Sequence, residues 1–284
     1  MKAESTREEW QVIIGPRSSL FDLGLKEIWQ YRDLLLLLVK RDFVAFYKQT
    51  ILGPLWFFIQ PILTTAMYLL IFGRIAHLQT DHIPGLIFYL AGVTCWSYFS
   101  ETLTKTADTF ITNANIFGKV YFPRLVIPLS IICSNMIRFG IQFLLFAIAW
   151  IYYLSTGEVH ITWVILLFPV LIILMALQGL GLGIIFSSLT TKYRDLRFLL
   201  TFGIQLAMFA TPIVYPLSMA SAKYKWLIVL NPFTAVIETF RYGFLGAGEF
   251  SIPNLLYSGA ATLLILFAGI ILFNRIEKSF MDVV

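Results

Sequence analysis

The residues able to do chemistry in this 284-residue chain are few, and most of them sit inside apolar runs. Glu101 and Lys105 stand at i, i+4, with Asp108 three residues further, so one helix face can pair its own charges. Asn135, Arg138 and Gln142 share one face in a later run. An ionisable side chain in such a run is costly to keep and is a functional candidate for that reason. Arg138 fits either of two settings, a wet cavity or an ion pair between helices. His77, Asp81 and His82 are near enough in sequence to touch a divalent ion, and equally make an ordinary solvated loop. The stretch Thr211–Gly246 is of another kind: it is apolar enough for membrane depth, yet Pro212, Pro216 and Pro232 break it into pieces too short to span. Non-helical backbone at that depth is tolerated only where protein buries it or where it lines a water-filled path. The stretch therefore predicts a gate or a conduit.

Several chemistries lack the residues they need. There is no Gly-x-x-x-x-Gly-Lys-Ser/Thr loop for a nucleotide phosphate and no Gly-x-Ser-x-Gly nucleophile turn. The three histidines have no His-x-x-x-His helical spacing, and acids are too scattered to offer paired carboxylates for glycosyl transfer. Cys95 and Cys133 both fall in apolar runs and read as buried, inert thiols. The net charge of +5 comes without a basic stripe interleaved with aromatics, so nucleic acid is not an expected partner. No catalytic, cofactor-binding or metal-binding residue is expected in this chain, and energy for any transport has to come from a partner.

The elements that position these residues follow from composition. The chain is 58% hydrophobic and 13% charged, with a mean hydropathy of +0.80; a soluble domain carries about 25% charge. Long continuous apolar runs point to an all-α integral membrane protein rather than a β-barrel. Runs near 54–75, 86–103, 125–154, 161–189, 198–214 and 255–273 are long enough to cross a bilayer, which predicts six transmembrane helices. Eight Lys and Arg residues precede the first run, and the even-numbered connections carry most of the others. The opposite side has only Arg74, Lys223, Lys225 and Arg241. Both termini are therefore expected in the cytoplasm, with 211–246 facing outward. Ahead of the first span, 25–39 reads as an amphipathic interface helix with Leu25, Ile28, Tyr31, Leu35 and Val39 on one face, imperfect because Arg32 sits among them. It suits either a simple membrane anchor or a docking surface for a cytoplasmic partner. The predicted organisation is a cytoplasmic N-terminus over 1–53, a six-span domain over 54–274 and a tail over 275–284. The inner connections lie near 108–124 and 190–197, and the broken outer region over 215–250. Alternating Gly179, Gly181 and Gly183 in the fourth run permit close helix contact or bending.

Several stretches, in order, resemble a known family. Arg41-Asp-Phe-Val-Ala-Phe-Tyr-Lys-Gln-Thr-Ile-Leu-Gly-Pro-Leu-Trp56 is similar to the approach to the first span in membrane subunits of type-2 ABC exporters for polysaccharides. Asn115-Ile-Phe-Gly-Lys-Val-Tyr-Phe-Pro-Arg124, Tyr193-Arg-Asp-Leu196, Thr211-Pro-Ile-Val-Tyr215 and Asn231-Pro-Phe-Thr-Ala235 match the same family in register. The resemblance covers about residues 33–273. It implies a permease subunit exporting lipid-linked O-antigen, capsular polysaccharide or teichoic acid across the bacterial cytoplasmic membrane. The subunit would work as a homodimer with two copies of a separate ATPase that binds ATP and Mg. It further implies that Asn115, Ile116, Phe117, Lys119, Tyr121 and Arg124 form the main coupling segment, with Tyr193, Arg194 and Asp195 as a lesser contact. The interface helix, with Ile28, Trp29, Tyr31 and Leu35, would rest against the ATPase. The broken stretch would be a re-entrant helical hairpin between spans five and six.

Flat sugar faces slide over aromatic rings, and the chain holds 26 Phe, 13 Tyr and 7 Trp. Channel and gate candidates are Trp56, Phe57 and Tyr68 in the first span and Tyr215, Phe233, Phe240 and Tyr242 at the exit. Glu238 and Arg241, at i, i+3, are expected to pair at the gate. Rival readings are a type-2 exporter of small lipids or drugs, a membrane enzyme on lipid-linked sugars, and an ion-coupled transporter.

Overall fold

The computed structural model describes residues 25–48, 52–113, 116, 122–193 and 195–279, and every regular element among them is helical. The chain begins with α1 (Leu25–Gln30) and α2 (Arg32–Lys48), separated by a one-residue turn at Tyr31. A short 3₁₀ turn over Gly53–Leu55 leads into α3 (Trp56–Tyr68), which continues as π-helix through Leu69–Ile75. Then come α4 (Gly85–Ala107) and the one-turn α5 (Thr109–Thr112). The long helices α6 (Val126–Ser155) and α7 (Phe168–Lys192) follow, and then α8 (Leu196–Ala210). Two short helices, α9 (Ala222–Leu230) and α10 (Pro232–Leu245), precede α11 (Ile252–Ser279).

Among the described residues, four helical stretches are long and apolar enough to cross a membrane: Gly53–Ile75, Val126–Ser155, Trp163–Thr191 and Ile252–Arg275. Helix α4 has 23 residues but carries Glu101, Lys105 and a series of Ser and Thr residues. It tolerates them because it is packed among other helices: most of its residues are buried, including Thr94, Thr102 and Thr106. Helix α8 is shorter, with 15 residues.

Helices α4 and α7 form the centre. Helix α4 packs on α6 and α7, α7 packs on α11, α11 holds α10, and α2 lies along α6. The alternating glycines of α7 serve two neighbours at once. A Cβ at Gly183 would stand 2.5 Å from Cβ of Thr106, and one at Gly179 would stand 3.0 Å from Thr102, both on α4. A Cβ at Gly181, on the opposite face, would meet Leu266 backbone of α11 at 3.1 Å, where Gly269 in turn approaches the Gly181 carbonyl. Small residues at such contacts let backbones close up and gain dispersion energy. Across the same α7–α11 seam, the Gln178 amide donates to Ser258 at 3.1 Å and to Thr262 at 3.0 Å. The peripheral helices differ sharply: Ile62, Leu63 and Met67 of α3 and Phe198, Phe202, Leu206 and Phe209 of α8 are exposed. One expectation is corrected here. Cys95 is buried, but Cys133 sits on the exposed face of α6.

Overpacking a tight contact costs about 1–3 kcal/mol. Gly183→Val is therefore expected to lower the melting temperature of the detergent-solubilised protein, while Gly140→Ala, where a Cβ meets nothing within 4 Å, leaves it unchanged. Equal melting temperatures for both variants would overturn the close α4–α7 approach.

Candidate functional site

The broken stretch after α8 leaves helical pairing at Thr211 and, apart from a 3₁₀ turn over Leu217–Met219, resumes it only at α9. Helix α8 stops at Thr211, whose backbone is extended, because a proline at 212 disfavours helical geometry in the residue before it. Carbonyls freed in this way need donors, since a buried unpaired one costs about 1–3 kcal/mol. Side chains supply them. Arg241 donates from Nη1 to the Pro212 carbonyl at 2.5 Å and from Nη2 to the Ile213 carbonyl at 2.7 Å. The Leu230 carbonyl accepts from the Tyr257 hydroxyl at 2.8 Å, and the Pro232 carbonyl from Ser258 at 2.8 Å. Thr234 donates to the Ile228 carbonyl at 2.7 Å. At the far end of α10, Trp150 donates to the Phe244 carbonyl at 2.6 Å and Thr162 to the Tyr242 carbonyl at 2.9 Å.

Two of the sequence motifs meet in this knot. Asn231 caps α10, its side-chain oxygen accepting from the Phe233 amide at 3.1 Å, with Pro232 at the first helical position. The same side chain donates through Nδ2 to the Thr211 hydroxyl at 2.7 Å. Gly246, left-handed at φ 72°, ends the helix. The guanidinium of Arg241 is 1% exposed and lies over the Phe88 ring, 3.7 Å from its centroid. Gly92 leaves room for it, since a Cβ there would come within 3.0 Å of Nη2. Glu238 stands 3.6 Å from Arg241 and accepts from the Glu249 amide at 2.9 Å. The expected i, i+3 pair is thus present. Arg241 nevertheless spends its shortest bonds on backbone carbonyls, which sequence spacing does not reveal.

The aromatic candidates fall in different environments. Phe233 packs against Phe99 at 4.5 Å and Trp96 at 5.6 Å, and Phe240 against Phe244 at 4.6 Å and Phe146 at 5.2 Å, all inside the protomer. Phe57 is also buried, with Arg138 over its ring at 5.2 Å. Tyr68 is half-buried, its hydroxyl 3.1 Å from the Met208 sulfur; Tyr215 is half-buried; Tyr242 stacks on Phe250 at 5.6 Å; Trp56 is 40% exposed. An apolar groove of about 380 Å³ runs between α4, α7 and α8 up to Asn231, with Trp96, Phe99 and Gly203 among its walls.

At the other end of the spans, Arg138 makes an ion pair between helices. Its Nη1 is 2.9 Å from Oε2 of Glu101, and Lys105 reaches the same oxygen at 3.3 Å while donating to Asn135 at 2.9 Å. The connections that follow α4 and α7 are joined by Arg197 and Asp108, 2.8 Å apart. Of the coupling candidates, Ile116 and Arg124 are half-buried, and Tyr193 and Asp195 are exposed. Asn115, Phe117, Lys119, Tyr121 and Arg194 lie outside the described residues. In the N-terminal pair of helices Ile28, Tyr31 and Leu35 pack on an inner apolar cluster, whereas Trp29 is 70% exposed.

Removing one partner of a buried ion pair costs about 3–5 kcal/mol, because the other charge is left uncompensated. Arg241→Gln is expected to lower the melting temperature strongly, and adding Glu238→Gln to recover part of the loss. A double variant no more stable than Arg241→Gln alone would show that the carbonyl bonds, not the ion pair, carry the effect.

Comparison with known proteins shows the family. The family model described as ABC-2 type transporter matches residues 33–245. The O-antigen export system permease protein RfbA of Klebsiella pneumoniae is 30% identical over 252 residues, covering 88% of this chain and 95% of that protein. The protein of the same name from Myxococcus xanthus is 28% identical, covering 91% of this chain and 98% of its own length. The polysialic acid transport protein KpsM of Escherichia coli is 26% identical, with 80% and 87% covered. The match takes in all but the first residue of α2, the glycine-laced centre and the three prolines of the broken stretch, and the chain belongs to the ABC-2 type transporter family.

Proposed function

We propose that the chain is the permease subunit of an ABC exporter that moves a lipid-linked polysaccharide across the bacterial cytoplasmic membrane. The observation that carries this is near full-length similarity to permeases named for O-antigen export, at 88–95% coverage of both chains in the first case. Two copies of the chain would form the conduit, with two copies of a separate ATPase beneath them holding ATP and Mg; this chain would hold no cofactor. The exposed apolar flanks of α3 and α8 support an arrangement in which these helices face lipid or a second copy.

On this reading the polypeptide crosses the membrane six times. Helix α4, at about 35 Å by its 23 residues, is long enough, and α8 with the extended residues after it makes the fifth crossing. Residues 1–53 and 275–284 would lie in the cytoplasm, where the Lys and Arg excess favours them. Helices α9 and α10 would be the two limbs of a re-entrant hairpin in the outer half of the bilayer. Their side-chain-satisfied carbonyls are what such a segment needs. Helix α2 would lie in the inner interface, with Leu36 and Leu37 exposed toward acyl chains beside Arg32 and Lys40.

Coupling would run through 108–124 and 190–197. Loss of the chain in its native host is expected to remove the surface polysaccharide and to leave lipid-linked polymer inside; surface polymer at the normal level would overturn the export reading. Replacing Phe117 and Tyr121 with Ala is expected to leave the subunit inserted and bound to its ATPase, with ATP hydrolysis retained and export lost by more than about tenfold, which corresponds to 1.4 kcal/mol of coupling. Normal export by that variant would remove these residues from the coupling path.

A further inference from the structure

We propose that the loop between α3 and α4, residues 76–84, is a strap fastened over the proline-broken stretch, and that Asp81 is its latch. The Asp81 carboxylate accepts from the Ser218 hydroxyl at 2.6 Å, a bond between residues 137 positions apart. Ser218 belongs to the 3₁₀ turn over Leu217–Met219, just beyond the Ile213 carbonyl that Arg241 holds. The Asp81 charge also acts on Arg241 and Glu238 of α10.

The loop is strained, and packing does little to hold it. His77, Asp81 and His82 take left-handed backbone, at φ 51°, 51° and 65°. Residues other than glycine keep such geometry only where their surroundings over-determine it, and they cluster at clamps and switches. Here His77 and His82 are exposed, and full burial is confined to Ile83 near the loop's end. The loop's other hydrogen bonds turn back on themselves. The Ala76 amide donates to the Ile71 carbonyl and the Leu78 amide to the Phe72 carbonyl, both at 2.8 Å, and Thr80 and Ile83 bond each other. The bond to Ser218 is the one that ties the loop across to the broken stretch. The segment that carries the loop is unusual as well. The first span ends in π-helix over Leu69–Ile75, a rare form found frequently at functional sites.

The latch is built to be reversible. A hydroxyl on a carboxylate makes a short, charge-assisted bond. Ser218 is exposed, so water takes over its bonding when the two part, and the net cost of parting is small. The strained backbone favours release. One exchangeable contact set against stored strain gives a segment with two accessible positions, which a switching element needs. Closed, the strap ties the first two spans to the broken stretch; open, it leaves that stretch free to move. The choice of the broken stretch as an outer exit rests on the reading proposed above. The geometry of the latch does not.

The test uses the detergent-purified complex with its ATPase and the pair Asp81→Cys and Ser218→Cys, the exposed native thiol being removed by Cys133→Ser. The disulfide is expected to form readily without nucleotide and about fivefold more slowly during ATP hydrolysis, the lower end of coupling between linked sites. In the native host, the oxidised pair is expected to lose surface polymer by more than about tenfold and to regain it when a reductant is added outside. No disulfide, or a rate indifferent to ATP, would overturn the latch, and so would full export with the disulfide closed. Hydrogen exchange gives a second reading that needs no cysteines. The amides of Ala76, Leu78 and Ile83 are expected to exchange about fivefold faster in the wild-type complex during ATP hydrolysis, and in Ser218→Ala without it. Exchange unmoved by ATP would overturn the strap, and Ser218→Ala protected as well as wild type would overturn Asp81 as its latch. Cross-linking and exchange are read without polymer. ATP-dependent release in a chain whose loss leaves surface polymer normal would therefore count against the export reading and leave the strap standing.

Discussion

A carbonyl released from its helix where water cannot follow must find a donor, and this chain releases several between Pro212 and Phe244. Proline makes the breaks, so the backbone itself has fewer amides to offer in return. The donors come instead from side chains on α6, α10 and α11 and from the turn at Thr162, each reaching one particular carbonyl. That requirement explains why α10 is almost wholly buried although it has only 14 residues. It also explains why an arginine can be kept there. Arg241 donates to two carbonyls, stands 3.6 Å from a carboxylate and lies over an aromatic face with one planar group, a combination that lysine's point charge cannot reproduce.

The centre of the molecule is set by a different constraint, the distance between helix axes. Without a hydrophobic driving force between helices in lipid, close approach has to come from small residues and buried hydrogen bonds. Helix α7 supplies both, with glycines on two faces and Gln178 reaching across to α11. Helix α4, shielded by α6 and α7, is then free to be polar. Its Thr, Ser, Glu and Lys residues would be poorly placed on a lipid-facing helix, and of these types α3 and α8 hold only Thr64, Thr65 and Thr201.

Much of this was legible in the sequence, and the parts that were not share a cause. The apolar spans Val126–Ser155, Trp163–Thr191 and Ile252–Arg275 match the expected runs to within a few residues, because length and hydrophobicity alone specify them. The break at Thr211 follows from its proline. The glycines of α7 were visible as a pattern, but not that Gly179 and Gly183 face one helix and Gly181 another. The pairing of Glu238 with Arg241 could be read from spacing, whereas the bonds of Arg241 to Pro212 and Ile213 could not, because they link residues 28 and 29 positions apart. The same holds for Asn231 with Thr211 and for Arg138 with Glu101, 20 and 37 positions apart. Phe57, Phe233 and Phe240 show the limit for aromatics: composition says that rings are plentiful, and only packing says which of them are enclosed.

Helix α8 has the build of a mechanical part. It touches α4 and α7 only lightly, and among its residues Leu200 alone is fully buried. Its ends, by contrast, are fastened: Arg197 to Asp108 at one, Thr211 to Asn231 at the other. A rod pinned at both ends and nearly free along its length passes on an axial push or a twist without first having to break a packed interface. Its 15 residues span about 22 Å. The junction that anchors its far end adjoins the one in which the carbonyls of Pro212 and Ile213 are held, so a displacement begun beside Asp108 would be delivered to the proline-broken backbone.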